Sequence, residues 1–303
     1  MDILEILLDL DIWLVIATII KAITYGTTLT AAGGVIFCVL FRNQTSQNEA
    51  KAIRQFILIA AWVAILISIS RIFVTNIILR EEMSGVFDLV LTRMVLESIE
   101  GVATGLRLAS LIIMISLFSN KYYDKFLGVI LFAAIVAATS FSLVGHAGEV
   151  SIKYGFGLIP QGLLLLHLIT VAFWVGALWP LRMLTDSNDI LRVAQIMHRF
   201  GQVAALFVSL LIVVGILLIW ILLGKLELLW TSAYGQLMLI KLTSVSILLA
   251  MAAINKLLIT PKLLSTNNKF ELGILRKSIN LEITLVGLIL FVTACFTTLV
   301  GPS

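Results

Sequence analysis

Charge is scarce in this sequence. Of 303 residues, 13% are Asp, Glu, Lys or Arg and 60% are apolar, giving a mean hydropathy of +1.11. Soluble domains carry about 25% charged residues, so a water-facing coat is excluded. Intrinsic disorder, which needs low hydrophobicity and high charge, is excluded too. Cysteine is almost missing. Cys38 and Cys295 each sit inside an apolar run, which excludes a disulfide framework and a paired-cysteine zinc motif. They lie towards opposite faces of the membrane and are expected neither to bond nor to share a site. There is no glycine-rich phosphate loop and no Asp-Lys-Thr-Gly run, so nothing points to ATP-driven pumping. There is also no serine elbow, no His-Glu-x-x-His and no pair of catalytic carboxylates. No catalytic residue is nominated, and the chain is not expected to be an enzyme. The start, Met1-Asp-Ile-Leu-Glu5, lacks a basic stretch before its apolar run, so no cleaved signal peptide is expected.

Long apolar runs fill the space that charge leaves. They cover about 13–41, 53–79, 101–118, 126–145, 160–184, 202–223, 234–259 and 279–300. About 20 apolar residues cross a bilayer as a helix. None of the runs shows the alternation of a membrane β-barrel. The expected fold is an all-α bundle of eight transmembrane helices forming one membrane domain over residues 1–303.

The loops alternate in basic content. Loops 42–54, 121–125, 182–199 and 256–277 hold most of the Lys and Arg, whereas the N-terminal tail carries Asp2, Glu5, Asp9 and Asp11. The positive-inside rule then puts both termini outside and the basic loops in the cytoplasm. The net charge of +4 is therefore a topology signal, and no nucleic-acid partner is expected.

Ionisable residues inside a bilayer are costly and flag function by default. Lys21, Arg71, Arg107 and Lys241 interrupt the spans. Counted at 1.5 Å per residue, they and His167 lie roughly 9–15 Å below the outer surface. Glu97 and Glu100 border this layer, and His146 and Glu149 sit at its mouth. One reading is a polar pocket open to the outside, in which Arg71 and Arg107 pair with Glu97, Glu100 or backbone carbonyls. The other is snorkelling of long side chains, or internal ion pairs that only hold helices together.

His146 ends the fourth span and His167 lies two turns into the fifth. Imidazoles on neighbouring helices can share a copper ion, and a carboxylate suits Cu(II). The plain alternative is a helix-end histidine and a hydrogen-bonded core histidine. His198, at the inner end of the sixth span, reads as a surface residue. Sulfur donors suit Cu(I). Met83 and Met94 lie in the large outer loop; Cys38, Met114, Met183, Met197 and Met251 lie in the inner half. Met is also an ordinary filler of helix interfaces. Gly26, Ala31, Ala32, Gly33 and Gly34 suggest close helix packing. Pro180 is expected to bend the fifth span.

Several stretches between about 140 and 262 resemble the CopD family of bacterial copper-resistance membrane proteins. They are Gly145-His146-Ala147, His167-Leu168 with Trp174-Val175-Gly176 and Leu178, Arg199-Phe200 running to Gly215, and Tyr234-Gly235-Gln236-Leu237 followed by Lys241 and Asn255-Lys256. Gly201 and Lys256 depart from the family's usual Ser and Arg. The resemblance implies copper transport across the inner membrane, generally inward, beside a periplasmic copper-binding protein of the CopC type. It favours His146 and His167 as metal ligands, with Glu149, Met83 and Met94 as further candidates. Two other readings stay open. Bis-His ligation of haem b suits the Arg/Lys layer, which would hold the propionates. A copper sensor or scaffold would transport nothing.

Overall fold

The computed structural model describes residues 11–144, 158–223 and 233–299. Among these the chain is helical throughout, and eight helices are long and apolar enough to cross a membrane. The α-helices in chain order are α1 (Ile12–Phe41), α2 (Gln47–Arg80), the short α3 (Leu89–Glu97), α4 (Ile99–Phe118), α5 (Leu127–Thr139), α6 (Ile159–Leu184), α7 (Ile190–Leu223), α8 (Ala233–Ile254), the short α9 (Thr260–Thr266) and α10 (Lys269–Leu299). A π-helical turn, Asn255–Ile259, joins α8 to α9. The chain is an all-α membrane protein.

Large apolar side chains point outwards. Leu206, Trp220, Phe132 and Ile59 are all more than half exposed, as helices facing lipid require. Many hydroxyls within the spans satisfy themselves locally. Thr18, Thr24 and Thr170 each donate to the carbonyl four residues back at 2.8–3.0 Å, whereas Thr28 Oγ1 and Ser68 Oγ are buried without a partner among the described residues.

Helix α1 is the hub, packing against α2, α5, α6 and α10. Its small residues make this geometry. A Cβ added at Gly33 would lie 1.6 Å from the Ala172 carbonyl oxygen, and one at Gly176 would lie 2.3 Å from the Gly33 backbone. The α1 and α6 backbones touch there, which glycine alone permits.

Three helices extend beyond their apolar runs. Helix α2 starts at Gln47, behind a capping box in which Ser46 accepts from the Glu49 amide and Glu49 accepts from the Ser46 amide. Helix α7 starts at Ile190, where a loop is expected. Arg192 in its first turn grips Glu49 through both guanidinium NH2 groups, at 2.7 and 2.8 Å. Helix α10 starts at Lys269, and Arg276 reaches the Thr185 carbonyl at 2.7 Å and Asp186 at 2.5 Å. Hydropathy sees only the buried length of a helix, whereas capping and ion pairing carry it into the polar layer. α6 runs unbroken through Pro180.

Segment 80–100, expected as a loop, contains α3. Asp88 caps it, accepting from the Val90 and Leu91 amides at 2.9 and 3.1 Å and from Arg80 at 2.5 Å. These donors, the Leu91 amide foremost, hold the Asp88 carboxyl below its ordinary range. Its capping contribution is thus complete above the unfolded carboxylate value of about 3.9. It is lost as pH falls through the lowered native value. Hydrogen-exchange protection of the Val90 and Leu91 amides should fall only in that acid window. In Asp88→Asn the window should vanish, and an unchanged acid profile would count against the cap.

Candidate functional site

A cluster of charged side chains lies between α1, α2, α4, α5 and α10. Arg71 on α2 pairs with Glu100 in the first turn of α4. Lys21 on α1 is 8% exposed and donates from Nζ to the Thr297 carbonyl of α10 at 2.8 Å. Arg107 on α4 is only 2% exposed. Its Nε donates to Ser140 Oγ at 3.0 Å, and its guanidinium lies 4.0 Å over the Phe141 ring. Tyr25 meets the same ring edge-on, with centroids 4.6 Å apart. Arg107 Nη1 is buried and has no hydrogen-bond partner among the described residues. Among the described residues only Arg71 pairs with Glu100; Lys21 and Arg107 are within its electrostatic reach. Glu97 does not join them, because it pairs with Arg93 at 2.8 Å on the exposed face of α3.

His167 lies on α6, and its Nδ1 is buried without a hydrogen-bond partner among the described residues. Lys241 on α8 is within electrostatic reach of it. His146 and Glu149 fall outside the described residues. Met83 and Met94 are exposed beside and on α3. No group of three His, Cys, Asp or Glu able to hold a metal occurs among the described residues.

A second polar group was missed at the level of sequence. Glu282 on α10 is 5% exposed. It accepts a short hydrogen bond from Asn255 Nδ2 and faces the Trp174 indole of α6. It lines a cavity of about 250 Å³ between α6, α7, the π turn and α10, together with Met197, Lys256 and Thr260. A carboxylate within the apolar run 279–300 was signal enough to flag it.

Residues 194–296 match the model described as Copper resistance protein D. Residues 9–151 match that of the Copper resistance protein D-like N-terminal domain. The chain belongs to the copper resistance protein D (CopD) family. It is a multi-pass membrane protein of copper resistance. Comparison with curated proteins and with solved structures gave no match.

The two CopD matches bracket residues 152–193, which carry His167 and Trp174-Val175-Gly176. Lys21, Arg71, Glu100 and Arg107 lie in the N-terminal match, and Lys241, Asn255 and Glu282 in the other. The departures at Gly201 and Lys256 are neighbours in this CopD chain. A Cβ at Gly201 would come 3.1 Å from Lys256 Cγ, so the missing side chain makes room for the lysine stem. The sulfur residues expected in the inner half are spread over five helices. Met114 is fully buried and Cys38 and Met183 pack partly buried against the apolar core; Met251 is half-buried; Met197 alone reaches the cavity.

Proposed function

We propose that this chain carries copper across the bacterial inner membrane, from the periplasmic face towards the cytoplasm. The observation that carries the reading is His167. It is a half-buried histidine in a copper-resistance protein, with Nδ1 itself buried and left unpartnered in the described structure. Neutral imidazole is a good copper donor, and a metal would supply the partner that the protein does not. His146 is the second ligand in this reading. Glu149, Met83 and Met94 are auxiliary donors, and a CopC-type protein docks on the outer loops to deliver the ion. The termini and the acidic loops face the periplasm. Transport runs down a gradient or is drawn by cytoplasmic binding.

The test is copper analysis of purified protein. His146→Ala and His167→Ala should each lower copper affinity at least tenfold, about 1.4 kcal/mol. Wild-type affinity in both would overturn the outer site. The cluster of three cations around Glu100 favours a second reading, haem b with its propionates held there. A Soret band in the same preparation would support haem, and colourless protein with stoichiometric copper would support carriage. Unaltered copper uptake in cells lacking the protein would favour a sensor or scaffold.

A further inference from the structure

The cavity beside Glu282 is lined mostly by apolar side chains, and Glu282 is the acidic residue among them. The Asn255 amide spends its Nδ2 on the Glu282 carboxylate, and the Trp174 indole faces the same group. Asn255 Oδ1 is buried and unpartnered among the described residues. Met197, 6% exposed, adds a thioether to the lining. Lys256 also lines the cavity, but its stem lies along Gly201 and it makes no ion pair with Glu282 among the described residues. An ionised carboxylate buried in apolar surroundings without a counter-charge is strongly unfavourable. A cation or a proton must settle it. The cavity also exceeds the roughly 30 Å³ a water occupies, so an ion with part of its shell fits.

We propose that Glu282, Asn255 and Met197 form an inner transit site for a copper ion. The proposal rests on the copper-carrying reading and adds a second station to it. The thioether selects against alkali cations, which take oxygen donors, and favours Cu(I); the carboxylate supplies the neutralising charge. The π turn contributes directly. It is the point where α8 departs from regular winding, and it sets Asn255 against Glu282 on α10. Single π turns are frequent at functional sites.

Full-length protein in lipid nanodiscs should be titrated with Cu(I) held by a competing chelator, and separately with Cu(II). Wild type should bind one more copper ion per chain than Glu282→Gln, a variant that can still accept from Asn255. Met197→Leu, close in volume, should weaken the inner site at least tenfold for Cu(I). His167→Ala should keep the inner copper. If Glu282→Gln does not fold, Met197→Leu decides. Both variants binding copper as wild type does would overturn the inner site alone. Wild type binding no copper in either oxidation state would instead overturn the copper-carrying reading.

Discussion

Gly176→Ala is expected to destabilise the protein by about 3 kcal/mol or more, at the upper end of what overpacking does. The new methyl would sit 2.3 Å from the Gly33 backbone, and a backbone cannot rotate away as a side chain can. Helices α1 and α6 would have to part. Helix α1 also carries α2, α5 and α10, so the displacement would spread through the bundle. Thermal melting in detergent, read by loss of monodisperse protein, measures it. Gly105→Ala on α4 is the control. Nothing lies within 4 Å of a Cβ there, and alanine in a helix gains about 0.5–1 kcal/mol over glycine. The control should melt at or above wild type. Equal melting of Gly176→Ala and wild type would show that the two helices do not cross so closely.

Glu100→Gln should have the next largest effect. Breaking a buried ion pair by removing one partner costs about 3–5 kcal/mol, because the other charge is stranded. Glu100 is 34% exposed and Arg71 17%, so solvent screening reduces the expected loss to about 2 kcal/mol. Arg107 and Lys21 sharpen the effect, since both lie within electrostatic reach of Glu100. The double variant Arg71→Met/Glu100→Gln should recover part of the loss. A double-mutant cycle with a coupling energy near zero would show that the pair contributes nothing.

The membrane class was legible because hydropathy is a sum over neighbours in the chain. Eight runs of sufficient length leave few other folds. The layer of Lys21, Arg71 and Arg107 was legible for the same reason, as charge in a span is conspicuous by itself. Their partners were not. Glu97 and Glu100 are three residues apart, yet one turns to Arg93 on α3 and the other to Arg71 on α2. That choice is made by the break at Ser98, which ends one helix and caps the next. Likewise Asn255 and Glu282 are 27 positions apart and carry no mutual signature in the sequence.

By itself, then, the order of residues determined that this is an eight-helix membrane protein with unusual charge in its spans. Only the tertiary structure decided which charges meet, where α1 and α6 touch, and that a carboxylate midway along α10 opens on a cavity. The physical reason is range. Partition into a bilayer depends on each segment's own side chains, while pairing depends on which segments lie side by side.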